Sequence, residues 1–241
     1  MLRAIGTTRT TFRIRPGFHV RTPVFATFVR LMLPRMASVG IEPLTFAYFT
    51  AVAAGLGAGS ISALNFALDY QVLPVSLIGV SFSLAVFPVL SAAFSSGDRD
   101  GFQRVLLRNV AIIGLLTSAA AVALFVLSGV LVDVLLGGGR FGPEAVALTA
   151  SVVAVFAVSI PFDALAYPLS RALYATHNTV YQVISSFAGL GAVVLASQAM
   201  VGPLGILGIP LGYAAGVATK DVLLALFLIR RVRQIDISRP G

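Results

Sequence analysis

From Ser60 to Phe94 the chain runs almost without interruption through apolar residues, with Asp69 as its single charged side chain. About 18 consecutive apolar residues suffice to cross a bilayer. Hydrocarbon offers no water to a backbone N–H or C=O, so only helices or closed barrels can span it. A barrel needs segments of about ten residues that alternate inward and outward, and no such alternation is visible. Only 11% of residues are charged, against about 25% in soluble domains, which leaves too little polar surface to coat a water-facing globule. The expected fold is therefore all-α: a polytopic membrane protein built as a six-transmembrane-helix bundle.

The six spans are expected at about 36–57, 60–94, 105–136, 145–175, 179–200 and 203–229. Residues 1–23 form a basic arm, 24–233 the membrane lobe and 234–241 a tail. Pro34, Pro74, Pro88, Pro161, Pro168 and Pro210 fall in or near spans, where neighbouring helices can re-satisfy the freed carbonyls. The second and fourth spans exceed a bilayer core of ~30 Å unless tilted, kinked or extended beyond it. The 95–109 loop is expected to carry a cap at Ser95 or Ser96 and a short basic helix along the interface after Gly101.

Charge predicts orientation. The arm carries Arg3, Arg9, Arg13, Arg15 and Arg21, the 95–108 loop Arg99, Arg104 and Arg108, and the tail region Arg230, Arg231, Arg233 and Arg239. The alternate connections hold one basic residue, Arg140. By the positive-inside rule both termini are expected in the cytoplasm. The net charge of +8 thus sits at the ends of apolar runs, where anionic lipid is the natural partner and nucleic acid is not. No signal-peptide pattern precedes the first span.

Enzyme chemistry finds no support. Cysteine is absent, which removes thiol nucleophiles and thiolate metal sites. His19 and His177 are far apart and flank predicted spans. Gly137-Gly138-Gly139 lacks the preceding strand and following Gly-Lys of a phosphate loop. The informative residues are the ionisable groups in or near spans: Glu42, Asp69, Asp133, Asp163, Arg171, Lys220 and Asp221. A charge at mid-bilayer costs roughly 2.5–3.5 kcal/mol, so it normally faces a partner or a wet cavity. Asp69 precedes Pro74 and Asp163 follows Pro161; an acid beside a proline break is a transporter's way of lining a midplane site. Asp69, Gln71, Asp163 and Arg171 are the cavity candidates, although Arg171 is slightly better placed as an inner-interface anchor. Lys220 and Asp221 form a candidate intramembrane polar pair.

Four stretches carry a resemblance. "VRLMLPRM" (29–36), "GSISALNFALDYQVLPVSLIGVSFSLAVFPVLS" (59–91), "IPFDALAYPLSRALYATHNT" (160–179) and "GPLGILGIPLGYAAGV" (202–217) resemble, in order and spacing, the second half of the MurJ (MviN) lipid II flippases of the MOP exporter superfamily. The resemblance spans about residues 24–233. It implies one six-helix lobe of a two-lobed flippase in the bacterial inner membrane, facing a central cavity and moving a lipid-linked sugar pyrophosphate by alternating access. It also implies a second lobe, either another copy of this chain or a separate chain like the first half. The driving force would be a coupling ion, sodium or a proton, or the membrane potential. In an ungapped match Asp69 falls where the family has a cavity arginine (a one-residue slip puts it on the neighbouring aspartate instead), and Phe49 where many members carry an acid linked to sodium. Those departures keep an alternative open: a non-transporting membrane scaffold, derived from a flippase lobe, that binds cell-wall enzymes.

Overall fold

The computed structural model describes residues 40–139, 141–176 and 179–234, with side chains as far as Val232. The basic arm, Pro34, His19, Arg140, His177 and the residues after Gln234 lie outside the described residues. Helix α1 covers 40–54. It is followed by α2 (Ser60–Pro74), a π-helical turn (Val75–Val80), α3 (Ser81–Ser95), α4 (Arg99–Leu136), α5 (Pro143–Ala157), α6 (Ile160–Ala175), α7 (Val180–Leu204), a 3-10 turn (Gly205–Leu207) and α8 (Gly208–Gln234). Among the described residues there is no strand, only an isolated bridge between Gly138 and Phe141.

Three stretches are long and apolar enough to cross a membrane, Ser60–Ser95, Arg99–Leu136 and Val180–Val232, and a fourth if the bent pair α5–α6 counts as one span. The third of these is a hairpin. Gly208 lies against Met200 and Val201, Gly212 against Ser197, and Gly216 against Val193 and Gly189. Tyr181 stacks on Phe227 at 4.4 Å. The chain therefore reverses near Gly205, whose φ of 58° suits a residue without a Cβ. The fifteen described residues of α1 fall short of a full crossing by themselves, so six remains an approximate count.

Proline sets the interior breaks. Pro74 has no N–H to give to the preceding turn, and the helix widens into a π turn before resuming as α3. Pro161 likewise cannot donate to the carbonyl four residues back. Helix α5 stops at Ala157, and α6 restarts with Pro161 in its first turn, bent by 40°.

One local expectation is corrected. The α4 cap is Asp98, whose Oδ1 accepts from the Gly101 N–H at 2.9 Å. Ser95 and Ser96 instead donate back to the Ala92 and Ala93 carbonyls. The stretch after Gly101 is no separate interfacial helix: α4 runs unbroken for 38 residues, about 57 Å at 1.5 Å per residue, so its first turns extend past a ~30 Å hydrocarbon core.

The apolar core falls into two parts. One surrounds Phe49, Leu64, Ile113, Phe156, Ile160 and Ile209. The other, toward the opposite ends of α4, α6 and α8, holds Leu90, Phe102, Leu106, Leu173, Leu224 and Leu228. Membrane helices gain little from hydrophobic burial against each other and depend on close contact between small residues. Gly216 is the clearest case, because an added Cβ would lie 2.8 Å from the Gly189 carbonyl oxygen and closer still to a Val193 methyl. Gly216→Ala is therefore expected to destabilise the lobe by about 1–3 kcal/mol. Gly129→Ala in α4, which meets nothing within 4 Å, is expected to be neutral. Unfolding titrations in detergent would measure both, and equal behaviour of the two variants would refute this account of the hairpin.

Candidate functional site

Three polar side chains from three helices meet inside the lobe. Gln71 lies on α2 three residues before Pro74, Asp163 on α6 two residues after Pro161, and Tyr213 on α8 three residues after Pro210. Gln71 Nε2 donates to Asp163 Oδ2 at 2.9 Å. The Tyr213 hydroxyl donates to the same oxygen, also at 2.9 Å. Gln71 is 1% exposed, and Asp163 is half-buried. The break between α5 and α6 places Asp163 in the first turn of α6, where the helix's orphan N–H groups favour a negative charge. The local sequence thus brings a carboxylate to a helix N-terminus inside a span, and two charge-assisted hydrogen bonds hold it there.

An aromatic wall closes one side. The Phe49 ring meets Tyr213 edge-on at 5.8 Å and Phe156 at 6.4 Å, and Phe156 lies 5.9 Å from Tyr213. Beside Phe49, the Tyr48 hydroxyl donates to the Val194 carbonyl at 3.3 Å, tying α1 to α7. Below Asp163 the π turn presents Gly79 to Ala164, where an added Cβ would sit 3.0 Å away. The widened turn after Pro74 and the start of α6 are therefore in direct backbone contact. No nucleophile–base pair accompanies Asp163 in this cluster. Among the described residues no group of three or more His, Cys, Asp or Glu is placed to hold a metal. The arrangement can lock α2, α6 and α8 together, and it can exchange those hydrogen bonds for others if the helices part.

The family model for lipid II flippase MurJ matches residues 2–239, nearly the whole chain. The chain belongs to the MurJ family. Curated MurJ relatives include a probable lipid II flippase of Bdellovibrio bacteriovorus, 27% identical over 84% of this chain and 39% of its own length. The lipid II flippase MurJ of Burkholderia cenocepacia is 26% identical over 95% of this chain and 44% of its own. A solved lipid II flippase MurJ in an inward closed conformation superposes with TM-score 0.75 at 21% identity, over 88% of this chain and 46% of that one. A multidrug resistance MATE family transporter of the MOP superfamily superposes with TM-score 0.65 at 17% identity, over 84% and 45%. The fold is thus that of MOP-superfamily membrane transporters, and this MurJ-family chain spans under half the length of the relatives it matches.

Two of the four cavity candidates, Gln71 and Asp163, are brought together. Asp69 is not with them. Two positions along a helix turn about 200°, so Gln71 faces the lobe interior while Asp69 is exposed on the opposite face. Arg171 lies two turns along α6 from Asp163, with its guanidinium 6.0 Å from the Phe87 ring centre, within cation–π reach. Lys220 and Asp221 share no hydrogen bond: both Asp221 carboxylate oxygens lack a partner, while the Lys220 stem runs against Gly189. Tyr213 was missed by sequence reasoning. Its signal was a lone phenol in the glycine-rich stretch 202–217, an isolated polar donor within an apolar span. The sodium that the family resemblance attaches to the Phe49 column does not fit there, because a ring 1% exposed and wedged between Phe156 and Tyr213 offers no oxygen ligand to a hard cation.

Tyr213→Phe removes one of the two donors to Asp163. It is expected to lower lobe stability by about 1 kcal/mol, and to cost little more in an Asp163→Ala background. A double-mutant unfolding cycle measures this; the same cost in both backgrounds would show that the bond contributes nothing.

Proposed function

We propose that this chain is a one-lobe subunit of a lipid II flippase: it moves a lipid-linked peptidoglycan precursor, or a related sugar precursor, across the bacterial inner membrane. It does so by alternating access against a second lobe, which is a further copy of itself or a separate chain resembling the first half. Both termini face the cytoplasm in this reading. Membership of the MurJ family supports the substrate class.

The observation that carries the reading is the outer face of α2 and of the π turn that follows it. Ser62, Asn65, Asp69 and Ser76 fall at helical spacing, and all four are exposed. An acid on a lipid-facing surface is costly. The apolar faces elsewhere, such as Leu115, Val122, Val126 and Val134 along α4, suit lipid contact. The α2 stripe suits water, a polar substrate or another lobe. Asp69 then contributes the polar lining at a position where the family resemblance places an arginine, and its negative sign implies contact with donors of the precursor rather than direct capture of its pyrophosphate.

Complementation of lipid II flippase depletion tests this, with the chain expressed alone and together with a first-half chain. Rescue is expected in at least one pairing. No rescue in any pairing, with the chain shown to be in the membrane, would overturn the proposal. In the rescuing pairing, Asp69→Arg is expected to change the flipping rate by about tenfold or more, equivalent to ~1.4 kcal/mol. The scaffold reading draws on the sealed Phe49 position. It predicts instead that Asp69→Arg leaves binding to cell-wall enzymes unchanged.

A further inference from the structure

Asp221 is unlike every other described acid in this chain. It is 8% exposed, and both of its carboxylate oxygens are buried without any hydrogen-bond partner. It is also the midpoint of α8, thirteen residues from Gly208 and thirteen from Gln234, hence about 20 Å from either end at 1.5 Å per residue. Asp69, Asp98, Asp100 and Asp133 are exposed, and Asp163 has two donors.

The groups around Asp221 cannot neutralise it by direct contact. Lys220 beside it and Asp163 on α6 act on it electrostatically with opposite signs. On α6 the Arg171 guanidinium turns to Phe87 of α3. Helix α7 packs along α8 but carries one titratable side chain, Tyr181, which stacks on Phe227. Helix α5 carries one, Glu144, in its first turn. An ionised carboxylate buried without a protein partner is costly in a protein interior; the neutral acid is far cheaper.

We propose that Asp221 is a proton-binding site within the membrane, neutral in the conformation described and emptied when movement of α8 lets water reach it. On release the O–H bond breaks, its electron pair stays on the carboxylate oxygen, and water takes the proton. The use of this proton to drive lobe movement rests on the flippase reading; its binding does not.

The site is tested with the full chain in liposomes, labelled with carbon-13 at the aspartate side-chain carboxyl. The infrared spectrum at neutral pH is expected to contain a protonated-carboxyl C=O band that shifts with the label, fades on alkaline titration and is absent from Asp221→Asn. A neutral-pH spectrum without that band, or an undiminished band in D221N, overturns the proposal. Should D221N fail to fold, the wild-type labelled band decides alone, since the other described aspartates are exposed or hydrogen-bonded. In a pairing that flips substrate, an imposed pH gradient is expected to change the rate for wild type and not for D221N; an equal response in both overturns the coupling. The band without flipping in any pairing upholds the proton site and defeats the flippase reading.

Discussion

A single carboxylate oxygen joins parts of the chain that are remote in sequence. Asp163 Oδ2 takes one donor from Gln71, 92 residues away, and one from Tyr213, 50 residues away. In a bilayer a polar group has no solvent to fall back on, so these partners must come from the protein. Much of the local structure serves that meeting. Pro161 breaks the span and sets Asp163 at a helix start. Pro74 widens α2 into a π turn, which lets Gly79 close on Ala164. The aromatic wall of Phe49 and Phe156 positions the Tyr213 ring so that its hydroxyl points at the acid. Without the carboxylate, Gln71 and the Tyr213 hydroxyl would each lose the partner that their burial requires.

How much of this could be read in advance varied with the physics involved. Membrane character and helical class follow from apolar run length, which needs no tertiary information. Gln71 and Asp163 were visible as polar side chains beside prolines in apolar spans. Their pairing was not, because nothing local specifies which of several helices will face each other. Tyr213 escaped notice because a phenol is ordinary at a membrane interface, and its depth depends on where α8 begins. Asp69 and Gln71 read as one cluster along the chain, whereas the 100° turn per residue sends them to opposite faces. The cap at α4 fell to Asp98 over Ser95 and Ser96 because those hydroxyls were already bonded back into α3.

The two halves of the lobe are held by different means. Toward one end, large side chains interlock around Phe49, Phe156 and Ile160. Along the α7–α8 hairpin, glycines let backbone meet backbone. The first arrangement resists change because volume must be conserved. Asp221 lies on α8, the helix that takes part in both, with its carboxyl buried.

The exposed surface of the chain carries an asymmetry that bears on how much of a transporter it represents. Along α4 the outward residues are large and apolar for most of the helix. Along α2 and the π turn, exposed Ser62, Asn65, Asp69 and Ser76 are interleaved with exposed Ile61, Val72, Leu73 and Leu77. A lone lobe in lipid would place that acid against hydrocarbon, a configuration that costs several kcal/mol unless water or a partner reaches it. The chain spans 39% and 44% of the length of the two curated relatives described above. In the flippase reading proposed above, the polar residues on the outer face of α2 would look onto an aqueous cavity shared with a second lobe.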